Sequence, residues 1–303
     1  MERVNRTKDL NPELWTVFDE YVHGFIDRRG FLDRAAKYVV APMTAAVALD
    51  LMNPRFAEAQ QVKPDDKRIK TEWVEIDSPK GYGKIKAYVA KPATATGKLA
   101  TVLVVHENRG LNPHIEDIAR RLAVDNFLAV APDALTPLGG YPKTGADGER
   151  EDQARTLFPK LDQAKTREDM LAAAAYARTR SDSNGKLGAV GFCYGGGVVN
   201  FLATQLGADL KAGVPFYGGP PAEADVKNIK AAMLIHHGAL DERLAASWPA
   251  YDAQLKAANV PHEGYIYAGA QHGFNNDTTD RFNAEAAKLA WDRTVAHFNK
   301  YLR

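Results

Sequence analysis

The most constraining feature of the sequence is a cysteine between glycines, Gly191-Phe192-Cys193-Tyr194-Gly195, which joins an apolar run to a helical pattern. A sharp strand-to-helix turn strains its central residue, and the positions two before and two after it must lack side chains. Gly191 and Gly195 occupy those positions. The turn also predicts that the Cys193 sulfur lies at a helix N-terminus, where the dipole favours a thiolate. A buried structural cysteine is the alternative for a lone Cys, but the glycines favour a nucleophile.

From about residue 70 the sequence alternates strand patterns with helical patterns. Two runs of alternating polarity, 71–77 and 84–91, flank a turn-rich segment and predict an antiparallel hairpin at a sheet edge. Continuous apolar runs, which are typical of parallel strands buried on both faces, cover 101–106, 127–131, 187–192, 212–217, 231–236 and 263–267. Helical patterns cover 114–125, 151–180, 197–206, 244–258 and 279–301. The pattern predicts a three-layer α/β sandwich with a mostly parallel central sheet.

Two residues after later strands complete the groups that a nucleophile needs. Asp241 lies in the loop after the strand that ends near His236, and His272 follows the last strand. The order nucleophile, acid, histidine, each beyond the carboxyl end of a strand, is that of the α/β-hydrolase fold. We therefore predict a Cys193–His272–Asp241 triad in an α/β-hydrolase sandwich. Glu242 is an alternative acid, although it lies further from the strand.

The loop after the third strand, 106–112, supplies the remaining candidates. A tetrahedral oxyanion needs two backbone N–H donors, one after the nucleophile and one in this loop. We assign these donors to Tyr194 and Asn108. Glu107 is a carboxylate in a partly buried loop and must be paired, either in a catalytic role or in a structural salt bridge, for instance to Arg109.

The first 62 residues show helical periodicity and no strand pattern. Apolar residues recur at intervals of three and four over 14–25, and a second helical stretch covers 29–52 with an interruption at Pro42. We predict an N-terminal helical extension over 1–62 and a hydrolase domain over 63–303.

Within this extension, Arg28-Arg29-Gly30-Phe31-Leu32 precedes a moderately apolar stretch, an order typical of a twin-arginine export signal. Asp33, Lys37 and Asp50 argue against the signal and favour a docked helical arm. The sequence leaves both interpretations open. The expected location is the cytoplasm, or the periplasm if the segment is a functional signal.

Composition limits the other classes of function. The 303 residues include 39 Lys+Arg and 38 Asp+Glu, a net charge of +1, so no long-range field attracts nucleic acid or an acidic membrane. One cysteine cannot form an intrachain disulfide or a Cys-rich metal site. No apolar run is long enough to span a bilayer, and a soluble protein without stable membrane insertion is expected.

The motifs in combination resemble one family. The patterns V-V-x-E-x-x-G, A-P-D, G-F-C-x-G-G, G-x-x-D and H-G-F follow successive strands and resemble those of the dienelactone hydrolase (carboxymethylenebutenolidase) family of α/β-hydrolases. The resemblance covers roughly residues 85–302. It implies that Cys193 is the nucleophile, that His272 is the general base and then acid, and that Asp241 orients His272. It also implies that Glu107 contacts the resting thiol and moves when substrate binds.

The sequence departs from this family where dienelactone-specific members hold the substrate carboxylate with arginines. The segment 131–138 contains no Arg, and Asn275-Asn276-Asp277 follows the histidine motif. Arg109, with Arg155 as a second candidate, is the substitute that we consider. A related ester or lactone is therefore a safer expectation than dienelactone itself.

The leading hypothesis is a thiol-dependent hydrolase of esters or lactones of small carboxylic substrates, which acts through a thioester and needs no cofactor and no metal. Its partner is a small-molecule substrate and not nucleic acid, and a homodimer is left open. The alternative hypothesis is a non-catalytic or redox-sensing scaffold in which Cys193 is a reversible sensor.

Overall fold

Eight strands form one sheet in the computed structural model, which describes Thr7 and residues 9–303. The strands are β1 (Ile69–Ser78), β2 (Gly83–Pro92), β3 (Leu99–Val105), β4 (Leu128–Asp133), β5 (Ser183–Phe192), β6 (Leu210–Phe216), β7 (Ala232–Gly238) and β8 (His262–Tyr267). Their spatial order is β1-β2-β4-β3-β5-β6-β7-β8. β1 pairs antiparallel with β2 and β2 antiparallel with β4, whereas the other pairs are parallel. The predicted edge hairpin and parallel sheet are confirmed.

Helices cover both faces of this sheet. They are α1 (Glu13–Val22), α2 (Arg28–Ala35), α3 (Ala45–Met52), α4 (Phe56–Ala59), α5 (Pro113–Val124), α6 (Asp147–Leu157), α7 (Gln163–Thr179), α8 (Tyr194–Leu206), α9 (Glu242–Ala257) and α10 (Ala284–Leu302). Apolar side chains of α7, α8 and α9 join one buried cluster with the sheet. Those of α5 and α10 join a second cluster on the opposite face. The result is the predicted three-layer sandwich, in which burial of two apolar faces is the main stabilising term.

The single helix predicted over 151–180 is wrong in its middle, where the chain forms α6 and α7 with a 3-10 turn, Phe158–Lys160, between them. Pro159 has no amide hydrogen to donate to the preceding turn. The Asp162 carboxylate then caps α7 by accepting the Ala164 amide at 2.9 Å. At this break Phe158 lines a cleft that Cys193 also lines.

Residues 9–62, called the N-terminal arm below, contain α1 to α4. The arm has a small apolar core of its own, which includes Leu14, Phe18, Phe31, Leu49 and Met52. The second helical stretch is interrupted more widely than predicted, because α2 ends at Ala35 and α3 begins only at Ala45. The Thr44 hydroxyl caps α3 by accepting the Val47 amide at 3.2 Å.

Polar contacts hold the N-terminal arm on the rest of the chain. Arg28, the first arginine of the twin-arginine pattern, donates to Asp152 of α6 at 2.7 Å, and Tyr21 donates to the same carboxylate. The Arg55 amide donates to Thr278 O at 2.9 Å. The Arg155 guanidinium lies 4.1 Å from the centre of the Tyr21 ring. The structure therefore describes a docked arm, while the export signal remains a prediction. No helix among the described residues is long and apolar enough to cross a membrane.

Candidate active site

The turn from β5 to α8 has the geometry of a nucleophile elbow. Cys193 has φ 53° and ψ −112°, a sparsely populated conformation that costs on the order of 1–3 kcal/mol. A Cβ on Gly191 would lie 2.1 Å from Gly195 O, and a Cβ on Gly195 would lie 2.2 Å from Val105 O. Both positions must therefore be glycine. The elbow holds the sulfur at the start of α8, beside amides that have no partner within the helix.

Replacing Gly195 with alanine is expected to destabilise the fold by more than about 2 kcal/mol, because the new methyl group would overlap backbone atoms that cannot move independently. Gly197 in the same helix is a matched control, since its Cβ would meet only Gly219 O, at 4.0 Å. Gly197→Ala should leave stability unchanged or raise it, by up to about 1 kcal/mol. Chemical denaturation of both variants provides the measurement. Equal stabilities would contradict the close approach that defines the elbow.

A histidine lies near the sulfur, and a carboxylate binds that histidine. His272 follows β8, and its Nδ1 donates to Asp241 Oδ2 at 2.5 Å. Asp241 directly follows the short turn after β7 and also accepts the Leu244 amide at 3.4 Å. Among the described residues, His272 Nε2 has no hydrogen-bond partner, so it is available to the sulfur or to a substrate. The alternative acid, Glu242, is exposed at the start of α9.

A second histidine lies at the sulfur, and sequence reasoning missed it. His23 follows α1 in the N-terminal arm, and its Nε2 lies 4.0 Å from Cys193 Sγ. Its Nδ1 lies 2.8 Å from Asp19 O and 3.3 Å from Asp19 Oδ2. The rings of His23 and His272 meet edge to face with their centres 4.9 Å apart. No motif marks His23, because its position depends on how the arm docks.

The two imidazoles stabilise the charged form of the sulfur. Burial on its own would raise the pKa of the Cys193 thiol, but the charge of the nearby His272 and the contact with His23 lower it to about 6. Burial would lower the pKa of His272, whereas the Cys193 charge and the Asp241 hydrogen bond raise it to about 9. The site therefore favours a thiolate–imidazolium pair at neutral pH.

The loop after β3 lies between the elbow and the arm. The Glu107 carboxylate accepts a hydrogen bond from Asn276 Nδ2 at 3.2 Å. The Asn108 side-chain amide donates to Val22 O at 3.0 Å, which ties this loop to the end of α1. Tyr194, the other predicted oxyanion donor, is the first residue of α8, where the amide has no partner within the helix. Glu107 and Asn108 line a cavity of about 50 Å³ together with Cys193.

Arg109, the predicted ligand of a substrate carboxylate, is buried beneath the N-terminal arm. Its guanidinium donates to Val22 O at 2.9 Å and to Asn108 Oδ1 at 2.7 Å. Its Nε also lies 3.7 Å from Glu151 Oε2. In this conformation a substrate would reach Arg109 only by displacing these groups, and carboxylate binding by Arg109 remains a prediction.

A larger cleft, with a volume of about 630 Å³, opens beside the sulfur. Its size is that of a small-molecule site. His23, Cys193, Tyr217 and His272 line it, and Phe158 and Phe201 contribute apolar surface. Three arginines also line it: Arg155, Arg167 and Arg243.

One donor atom from each of His23, Cys193 and His272 lies within 4.8 Å of the others. A zinc ion bound by sulfur and imidazole nitrogen would hold such atoms about 3.5 Å apart. The distance of 4.0 Å between Cys193 Sγ and His23 Nε2 is longer than that. We therefore describe the cluster as a thiol with two neighbouring imidazoles.

The fold is that of an α/β-hydrolase. Its evidence is the order of the eight strands and the cysteine elbow with a His–Asp pair at the carboxyl ends of the strands. The sequence model of the Dienelactone hydrolase family matches residues 85–302. A second model, described as YqhI-like, matches residues 1–37 and so includes His23.

Individual proteins agree with the first match. A "Putative carboxymethylenebutenolidase" of Yersinia pestis is 31% identical over 238 residues, which cover 75% of this chain and 88% of that protein. The crystal structure of a "Putative Dienelactone Hydrolase" from Klebsiella pneumoniae has a TM-score of 0.64 and 30% identity, and the match covers 77% of this chain and all of that one. A "Putative hydrolase fragment YghX" of Escherichia coli is 47% identical over 120 residues, 40% of this chain and 97% of the fragment. The chain belongs to the dienelactone hydrolase family and is a hydrolase.

Proposed function

We propose that this protein hydrolyses ester or lactone bonds of small carboxylic substrates, with Cys193 as nucleophile and a thioester intermediate. The observation that carries the proposal is the meeting of three side chains: a sulfur at a strained elbow, an imidazole beside it, and a carboxylate bound to that imidazole at 2.5 Å. These are the nucleophile, base and orienting acid of acyl transfer.

In this mechanism the Cys193 thiolate attacks the acyl carbon, and the carbonyl electron pair moves onto oxygen. Backbone amides of Tyr194 and Asn108 are our candidates for stabilising that oxyanion. The intermediate collapses to a thioester as the carbon–oxygen bond breaks, and the His272 imidazolium gives its proton to the leaving alcohol. Neutral His272 then takes a proton from water, water attacks the thioester, and the thiolate leaves with the acid as product. Asp241 holds the imidazole in the tautomer that both steps require.

The arginines of the larger cleft favour substrates with an acidic group. Arg155, Arg167 and Arg243 lie along its walls, and Asp225 is the acidic side chain that lines it with them. Guanidinium groups bind carboxylates in a planar, two-contact geometry. We therefore assign substrate recognition in this conformation to these arginines, with Arg109 as a further candidate if the arm shifts.

The rate of ester hydrolysis is expected to depend on pH through the thiol. Because the pKa of Cys193 is lowered to about 6, kcat/KM should be constant at neutral pH and fall as the pH drops through that value. The sign follows from the loss of the thiolate on protonation. A pH profile with a short aryl ester measures the limb. If the loss of activity on acidification instead occurred above pH 8, in the ordinary range of a free thiol, it would contradict an activated Cys193.

Chemical modification tests the same sulfur independently of any substitution. Cys193 is the only cysteine of the chain, so one equivalent of iodoacetamide reports on this site alone. Complete alkylation is expected to abolish ester hydrolysis, because the alkylated sulfur cannot attack an acyl carbon. Hydrolysis that survives complete alkylation, verified by intact mass, would overturn the proposed mechanism.

A further inference from the structure

Two His–carboxylate pairs lie near the Cys193 sulfur. The motifs of the dienelactone hydrolase family contain only one of them. His272 with Asp241 is the first pair. His23 with Asp19 is the second, and both members belong to the N-terminal arm, outside the residues that the dienelactone hydrolase model matches. Nδ1 of His272 binds the Asp241 carboxylate, and Nδ1 of His23 lies 2.8 Å from Asp19 O and 3.3 Å from Asp19 Oδ2. In both histidines Nε2 is therefore the atom available to the sulfur.

The position of His23 is determined by several contacts around the end of α1. Val22 O, one residue before it, accepts hydrogen bonds from Asn108 Nδ2 at 3.0 Å and from Arg109 Nη2 at 2.9 Å. Asp19 Oδ1 lies 3.5 Å from Arg281 Nη1. These contacts come from two different loops of the hydrolase domain, so they fix both the helix end and the carboxylate that orients the imidazole.

We propose that His23, oriented by Asp19, is a second catalytic imidazole, which stabilises the Cys193 thiolate in the resting protein and again when the thiolate leaves the thioester. This rests on the proposed function for the role of Cys193 as nucleophile. The proton that leaves Sγ forms an N–H bond at Nε2 of His272, whereas His23 takes its proton from solvent. When His272 passes its proton to the leaving alcohol, His23 keeps its own, so a cation stays beside the sulfur until the thioester is hydrolysed and the thiolate returns.

Electrostatics agree with this geometry. Burial alone would lower the pKa of His23, but the Asp19 hydrogen bond and the contact with Cys193 raise it to about 10. Burial would raise the pKa of Asp19, yet His23 and Arg281 lower it to about 2. Both partners are thus charged at neutral pH. Other titratable or charged groups near the sulfur come from the remaining elements around it: Glu107, Arg109, Tyr217, Asp241, His272 and Arg281.

The thiolate itself provides a test that needs no turnover. We would measure the ultraviolet absorbance of the thiolate and the rate of iodoacetamide alkylation against pH, in the full chain and in His23→Gln and Asp19→Asn. Glutamine can still donate a hydrogen bond but carries no charge. Loss of the cation is expected to raise the apparent pKa of Cys193 by about one unit or more in His23→Gln, and less in Asp19→Asn. Alkylation near pH 6 should then slow about fivefold, and recover at alkaline pH where the thiol is ionised in every variant.

The pair of His262 and Asp252 provides a matched control. His262 Nε2 lies 3.0 Å from Asp252 Oδ1, so the chemistry is the same, but the pair joins β8 to α9 and does not line the cleft. His262→Gln should leave the thiolate titration unchanged. A His23→Gln protein that unfolds at the same temperature as the parent and has the same Cys193 titration would overturn the proposal.

The two proposals fail in different ways. If the parent protein hydrolysed no ester, the proposed function would fall while the thiolate titration still reported on His23. If hydrolysis required Cys193 but the titration did not respond to His23→Gln or Asp19→Asn, the second imidazole would be wrong and the triad mechanism would stand.

Discussion

Cys193→Ala is expected to lower kcat/KM for ester hydrolysis by at least about 10⁴-fold, because it removes the atom that forms the new bond to the acyl carbon. The larger cleft and the oxyanion donors remain, so some acceleration over the reaction in water should persist. The measurement is steady-state hydrolysis of aryl and alkyl esters and lactones at matched enzyme concentration. The unfolding temperature should change little, because alanine adopts the same elbow backbone and removes one sulfur atom.

The double variant Cys193→Ala, His272→Ala sharpens this expectation. The effects of removing groups that act as one catalytic unit are not additive. The double variant should therefore lose little more activity than Cys193→Ala alone. If the two losses multiplied, the sulfur and the imidazole would act in separate steps, and the triad would not be the catalytic unit. Near-parental activity in Cys193→Ala would exclude the nucleophile altogether.

Asp241→Asn is expected to lower kcat by roughly 10³ to 10⁴-fold while the fold is retained. The carboxylate accepts the Nδ1 proton of His272 at 2.5 Å and stabilises the imidazolium. An amide removes that charge and permits the tautomer in which Nε2 carries the proton and cannot accept one from water. Kinetics under saturating substrate measure the effect on kcat.

The next residue gives the matched control for this substitution. Glu242 is exposed at the first position of α9 and was the alternative acid by sequence, so Glu242→Gln should be within about twofold of the parent. Full activity in Asp241→Asn together with a large loss in Glu242→Gln would move the acid role to Glu242.

Much of the fold could be predicted because its determinants are local. Parallel strands buried on both faces read as continuous apolar runs, and each predicted strand of the sheet occurs within about two residues of its predicted ends or is longer. The elbow is equally local, since the two glycines are required by backbone atoms that lie 2.1 and 2.2 Å from their missing side chains. The predicted relation of Cys193, Asp241 and His272 rests on this elbow and on the order of the strands.

What could not be predicted depends on contacts between distant segments. His23 follows an ordinary amphipathic helix, and its place beside the sulfur is determined by Asn108 and Arg109, which bind Val22 O from more than 80 positions away. For the same reason the sequence could not show that Arg109 is covered by the arm. The break between α6 and α7 was missed because one proline and one aspartate cap interrupt an otherwise continuous helical pattern.

The proposed mechanism requires an acyl group bonded to the Cys193 sulfur. Rapid acid quenching during turnover of a short aryl ester, followed by peptide mass spectrometry, should find one acyl mass on the peptide that contains Cys193, and hydroxylamine should release it. The modified fraction of the protein should rise to its steady-state level before the acid product accumulates linearly, because the thioester precedes the acid. Turnover with Cys193 unmodified at every time point, or an acyl group on another residue, would contradict the account.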